Sequence, residues 1–430
     1  MTPQYPFMVI APLLPGRVGE LRALLATMNL RPGIADPANA LVPFGRFDRL
    51  HVARFVILDD RTLDDAGASQ DSPIRLPLYL AFLGDCDGPE DEMLAAFAKE
   101  AAPGLRRIFS HCEGFDERTP LLDWMRSHNV APAVEYVNWV GRTVRQIHEE
   151  AALHAALSEE LRENSGTPRA ESPQALRDRL IAAVKREGLW LSDPEPTPLG
   201  WKLSHILDAI GTPLALLLLV PVLLLISPFY LWVLRRRERT DAVIAPRPDP
   251  ADVRALSVRE DHDVTNSFSA IGSLKPGRFR LWTLIFVFWV VGWSARIIYT
   301  RGRLARVGTI HFARWVFLDG RRRLFFGSNY DGSLDSYMDD FINKVAYGLN
   351  LVFSNGIGYP HTDYLILKGA KDEQVFKAYL RRHQVPTDVW YKAYPGMTTF
   401  DLARNTRIRE GFTRARMEDD EVREWLGLIQ

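Results

Sequence analysis

Leu50-His51-Val52-Ala53-Arg54-Phe55-Val56-Ile57 is written a second time, as Ile310-His311-Phe312-Ala313-Arg314-Trp315-Val316-Phe317. Both copies run on into Leu-Asp, at Leu58-Asp59 and Leu318-Asp319. An internal repeat of long period outranks local signals, because each copy has to supply the same structural unit. Residues 7–17 are echoed by 268–278, and nearly the same spacing separates Gly16 from His51 as Gly277 from His311. One helix of similar length therefore fits between two strands in each copy. Residues 78–88 then correspond to 324–332, followed by helical stretches ending at Gly104-Leu105 and Gly348-Leu349. Residues 108–115 and 352–359 read as fourth strands, and the tails also match, 136–141 against 391–396. The first copy carries a longer loop at about 61–77, rich in Asp, Ser and Gly as a solvated extension should be. Between the copies, Ser172 and Pro173 mark the start of a further helix.

Strand, helix, strand, strand, helix, strand is the ferredoxin-like order, an antiparallel sheet with helices on one face. Each such sheet leaves an apolar face that has to be buried. The expected α+β fold therefore packs tandem ferredoxin-like domains face to face as an intramolecular α/β barrel, with a helical insert and membrane-embedded segments. The expected boundaries are repeat 1 at 1–118, insert and linker at 119–200, a membrane-embedded hairpin or span at 201–240, and a linker at 241–265. Repeat 2 follows at 266–430, with an apolar membrane-facing helix at 281–299 and a C-terminal extension.

This organisation resembles the dimeric α/β-barrel superfamily, which includes dye-decolorising peroxidases, chlorite dismutase relatives and small monooxygenases. The resemblance covers roughly residues 5–118 and 266–360 and rests on element order and one motif. Gly84-Asp85-Cys86-Asp87-Gly88 reads G-x-x-D-G and is similar to the distal-aspartate motif of the peroxidases; the second copy, Gly327 to Gly332, is one residue longer. What the resemblance implies is oxidation with haem. His51, His311 and His111 would be candidate cofactor ligands, and Asp87, Arg54, Arg314 and Asp331 candidate catalytic groups.

Composition narrows the classes. At 430 residues and 47% apolar content the chain can bury two ordinary cores. Lys+Arg and Asp+Glu both number 53, so no global basic field draws nucleic acid, and that partner class is set aside. Cys86 and Cys112 are too few for a disulfide scaffold and are expected as free thiols. The N-terminus lacks the basic and apolar regions of a cleavable signal peptide. Phosphate-loop, nucleophile-elbow, H-E-x-x-H and C-x-x-C motifs are absent from the sequence.

From Pro213 to Leu234 there is no charged side chain. About 20 apolar residues suffice to cross a bilayer. Arg235, Arg236, Arg237 and Arg239 follow, which places this end at the cytoplasmic face of a bacterial-type inner (plasma) membrane. A second apolar run, 281–294, occupies the first-helix position of the second copy. There Glu20, Arg22 and Thr27 of the first copy become Leu281, Thr283 and Phe288, and a helix apolar all round meets lipid or other protein. A single crossing at 213–234 would leave the two copies on opposite sides of the bilayer. The preferred expectation is therefore monotopic: a segment broken at Pro221 and Pro228 dips into one leaflet and returns, embedding Leu217, Pro221, Leu224, Pro228, Trp232, Leu281 and Phe288. A plain single-span anchor is the alternative.

Period-two alternation puts His51, Ala53, Phe55 and Ile57 on one face, and Val52, Arg54, Val56 and Leu58 on the other. Histidine suits acid/base work or metal and haem ligation, and arginine can clamp an anion. Structural roles compete: the histidines could bond loop carbonyls, the arginines could pair with aspartates, and Asp87 and Asp331 could cap helices. The functional expectation is a monotopic membrane protein taking a hydrophobic or lipid-derived small molecule, with oxidoreductase chemistry implied by the resemblance. The competing class is a non-catalytic membrane scaffold. Expected partners are the bilayer and the small molecule, with a homo-oligomer also allowed.

Overall fold

The computed structural model describes residues 1–67, 76–163, 171–261 and 263–430. The loop extension expected at 61–77 lies partly outside these. Eight strands build two antiparallel sheets: β1 (Gln4–Pro12), β2 (Leu50–Leu58), β3 (Tyr79–Asp87), β4 (Val134–Val137), β5 (Thr265–Ser273), β6 (Ile310–Leu318), β7 (Arg323–Asp331) and β8 (Val389–Lys392). The first sheet has the order β1-β3-β2-β8 and the second β5-β7-β6-β4. The molecule is thus mixed α+β. Among the described residues both sheets stay open, and no barrel closes.

β2 is buried along its whole length because both of its faces are covered. Ala53, Phe55 and Ile57 pack under the helices Val18–Ala26, Glu90–Glu100 and Ala102–Phe109, while Val56 and Leu58 face the other sheet. β6 repeats this, with Ala313 and Trp315 turned toward helices, and Val316 and Leu318 toward the first sheet. Met8, Ile10, Leu83, Ile271 and Phe325 complete the apolar seam between the sheets. The layers run helix, sheet, sheet, helix.

The fourth strands are not where the repeat suggested. Residues 108–109 close an amphipathic helix whose Leu105, Ile108 and Phe109 are all buried. Positive φ at Gly114 then turns the chain, and only the Leu13–Cys112 bridge touches β1. Residues 352–353 likewise end the helix Leu334–Phe353, with a single Leu274–Gly356 bridge. The tails supply the fourth strands instead, and they do so reciprocally. β4, which follows the first set of strands, pairs with β6 in the second sheet; β8, at the far end of the chain, pairs with β2 in the first. The insert helices Val144–Glu163 and Pro173–Arg186 pack with the C-terminal helices Thr399–Thr413 and Asp419–Ile429 around Leu153, Leu180, Ile408 and Trp425. Ser172 Oγ caps the second of these by accepting the Ala175 N–H at 3.2 Å.

The apolar segment is a single long helix, Leu199–Glu238, and not a hairpin. Pro213, Pro221 and Pro228 lie inside it, each removing one backbone donor without ending the helix. At 1.5 Å per residue its 40 residues extend about 60 Å. Leu217 and Leu224 are each 68% exposed and Trp232 60%, and Pro221 and Pro228 are exposed as well. Both ends are fastened to the body. Before the first turn, Thr197 Oγ1 accepts the Met1 amino group at 2.9 Å. At the last turn, the buried Glu238 accepts from Thr362 Oγ1 and from the backbone N–H groups of Tyr364 and Leu365.

Under it runs the inner helix, Arg278–Ile297, in the opposite direction: Tyr230 meets Thr283 at 3.1 Å, and Trp293 Nε1 donates to the Asp208 carbonyl at 3.0 Å. This corrects the expectation for Phe288, which is 3% exposed and packs on Trp315 and Phe317 of β6. Leu281 is only half-buried. The inner helix is apolar all round because the second sheet covers one side and the long helix contacts another.

Candidate functional site

A bulge lies at each repeated histidine. The β2–β3 register shifts between Leu50 and Val52, and the β6–β7 register between Ile310 and Phe312. A bulge turns a side chain away from the face that strict alternation would give it. His51 accordingly leaves the Ala53 face, and its ring meets Phe312 of the other sheet at 5.3 Å. His51 Nε2 lies 2.9 Å from Asp87 Oδ1, and His311 Nε2 lies 2.7 Å from Asp331 Oδ1, all four side chains being buried. Tyr394 stands between the histidines: its hydroxyl is 3.1 Å from His51 Nδ1, and its ring centroid is 6.2 Å from that of His311.

The aspartates do cap helices, but not those that follow them in sequence. Asp87 Oδ2 accepts the Val144 N–H at 2.8 Å, and Asp331 Oδ2 accepts the Thr399 N–H at 2.7 Å. Each His-Asp pair therefore ties a strand to the helix that follows an exchanged strand. Burial would raise the Asp331 carboxyl, but His311 and Thr399 outweigh it and hold the group below the ordinary carboxylate value. A depressed folded value contributes stability that is complete above the unfolded value and is lost as pH falls through the folded one. Asp331→Asn is therefore expected to lower the thermal midpoint at pH 7 and to flatten its decline between about pH 5 and about pH 3. Thermal scans across that window check this.

Arg54 and Arg314 reach across the seam in a reciprocal pair. Arg54 Nη1 donates to the carbonyls of Phe268 and Ser328 at 3.0 and 3.3 Å. Arg314 donates to those of Phe7 and Gly84 at 2.7 and 2.9 Å. Their environments differ. Arg314 also pairs with Asp85 at 2.6 Å, whereas the register position of Asp85, opposite Val52, is held in the second sheet by Asn329, opposite Phe312. Burial, and then Arg314, lower the Arg54 guanidinium to about 9. Gly84 is required where it stands, since a Cβ there would lie 2.4 Å from the Val52 carbonyl oxygen. Gly84→Ala is expected to cost about 1–3 kcal/mol, read as a lowered denaturant midpoint.

Arg142 and Tyr394 had no motif to announce them. Arg142 is buried beneath Trp139, 4.0 Å from that ring, with Nε and Nη2 lacking a partner among the described residues. Gln4, His51, His311, Arg142 and Tyr394 surround a space of about 20 Å³. By that measure one water needs about 10–15 Å³, so one water fits and nothing larger. The signal that could have located Arg142 was the repeated tail, 136–141 and 391–396, read only as an echo.

Haem does not fit these residues. Both nitrogens of His51 are engaged, Nε2 of His311 is bound by Asp331, and the space between them takes one water. His111 lies apart near the surface carboxylate Glu20, its Nδ1 bonded to the carbonyls of Arg107 and Ile108. Arg54 and Arg314 are committed to backbone carbonyls and have no face toward a distal pocket. Compared with protein-family models, with curated proteins and with solved structures, the chain matches none of them.

Proposed function

We propose that the protein is a monotopic membrane-surface protein. Its layered body rests on the cytoplasmic leaflet, the long helix lies in the plane of that leaflet, and its role is to hold a partner or a lipid-derived small molecule there rather than to oxidise one. The observation that carries this reading is that both ends of the long helix are tied to one body while the charge-free stretch between them is exposed. A crossing would also drag the second sheet into hydrocarbon, because that sheet packs along the inner helix. The exposed Arg236, Arg237 and Arg239 suit anionic lipid headgroups at the cytoplasmic side. A non-catalytic role is supported by the apolar seam between the sheets and by the engagement of His51, His311, Asp87, Asp331 and Arg314 in bonds within the protein. We also read the two sheets, with their like order and like bulges, as copies of one ancestral unit related to the dimeric α/β-barrel superfamily.

Single cysteines at Lys202 and Arg236 test the membrane arrangement. Cys86 and Cys112 are buried, and burial raises both thiols, so neither competes for label. In sealed vesicles an impermeant maleimide should label both new positions from the same side. Protection of one position alone would instead establish a crossing.

A further inference from the structure

Strand β4, the first turns of the long helix and the last turn of the inner helix enclose a half-open cavity of about 80 Å³. Gln4, Glu135, Trp201, His205, Asp208 and Arg296 line it. Asp208 and Arg296 neutralise one another at 3.1 Å. Gln4 is held by the Arg142 carbonyl and the Gly141 N–H. Glu135 makes no hydrogen bond or ion pair with the described residues, and Arg314, its register partner, is given to Asp85 and to two carbonyls. Once Glu135 is ionised, the cavity thus carries one carboxylate with no bonded cation among the described residues.

We propose that this cavity binds a small primary-ammonium group, with Glu135 as its counter-ion and the Trp201 indole as its aromatic wall. At about 10–15 Å³ for each water-sized group, the volume takes about five to eight such groups, enough for a molecule as small as ethanolamine. Trp201, one face of which stacks on His205 at 4.6 Å, lines the cavity together with the Glu135 carboxylate, and an aromatic ring with a carboxylate suits an organic cation. Divalent metals collect several oxygen ligands, and among the described residues no three His, Cys, Asp or Glu side chains stand together to hold one. Charged and titratable neighbours of Glu135 are Asp85 and Tyr5 in the first sheet, Glu90, Arg314, Arg296, Asp208 and His205. Burial, and then Asp85, push its carboxyl up to about 7, with Arg314 and Arg296 opposing. Ammonium binding therefore strengthens as pH rises through that value.

The amine could be a free small molecule or the headgroup of an aminophospholipid. The lipid source rests on the membrane reading above; the free amine does not. The test titrates full-length protein in detergent micelles with ethanolamine, following tryptophan fluorescence and the thermal midpoint, with ethylene glycol as the uncharged control. The expected result is saturable binding at pH 8, weaker by about tenfold at pH 6 as Glu135 takes up a proton, abolished in Glu135→Gln and absent with ethylene glycol. Should Glu135→Gln fail to fold, Glu135→Asp and the wild-type pH profile serve in its place. No response at pH 8, or equal responses from wild type and Glu135→Gln, would overturn the proposal.

Vesicles of phosphatidylethanolamine and of phosphatidylcholine separate the sources. A preference for the former that is lost in Glu135→Gln identifies the lipid. Ethanolamine binding without that preference identifies a soluble amine. Ethanolamine binding by protein that fails to float with any vesicle leaves this site standing and removes the membrane reading.

Discussion

Replacing Leu217, Leu224 and Leu225 together with glutamate is expected to release the protein from vesicles into solution. All three side chains point away from the body, so their loss leaves the core intact. Burying one leucine is worth roughly 2 kcal/mol, so three contribute about 6 kcal/mol, or about 10⁴-fold in the partition coefficient. Sedimentation with vesicles measures the release, and an unchanged far-ultraviolet circular dichroism spectrum shows that the helix persists. If the triple variant remained vesicle-bound, the exposed stretch would not be the attachment surface.

The second large effect is at the seam. Arg314→Met leaves Asp85 as a buried carboxylate without its cation, and breaking such a pair costs about 3–5 kcal/mol. Burial already raises the Asp85 carboxyl, and the variant removes the opposing pull of Arg314. Adding Asp85→Asn is expected to recover a large part of the loss. Arg54→Met should cost less than Arg314→Met, because among the described residues no carboxylate bonds the Arg54 guanidinium. Denaturant unfolding of the three single variants and the double variant checks the ranking. Equal losses at Arg54 and Arg314 would show that the carbonyl bonds outweigh the ion pair.

Much of the layout was legible in the sequence because a repeated pattern doubles weak signals. The paired bulged strands, the helix after each Asp-Gly and the matching tails all sit at repeated spacings. Where each tail goes was not legible. Four residues with two or three inward side chains pair equally well with either sheet edge, and only the completed packing of Tyr136 and Tyr391 selects one. The error at 108–115 has a similar origin, since Ile108 and Phe109 satisfy a strand or the end of an amphipathic helix with equal ease. Alternation misplaced His51 because a bulge adds one residue without leaving a mark in composition. Phe288 was assigned outward because the first copy's helix was taken as the template, whereas in the second copy this position packs on Trp315 and Phe317 of β6. Glu135 gave no signal at all: a single glutamate on a short strand resembles a solvated edge until the helices beyond it are in place.

The reciprocal tails also set a timetable for biosynthesis. β2 is complete near residue 58, yet its edge partner is not made until residue 392. At a ribosomal rate of about 5–20 residues per second, that interval lasts roughly 20–60 s. Throughout it the nascent chain carries an unsatisfied strand edge while its greasiest helix emerges from the tunnel. A chaperone that shields exposed strand edges would keep this one from recruiting the wrong neighbour. Premature stop codons anywhere before β8 should therefore yield aggregates rather than a folded first half.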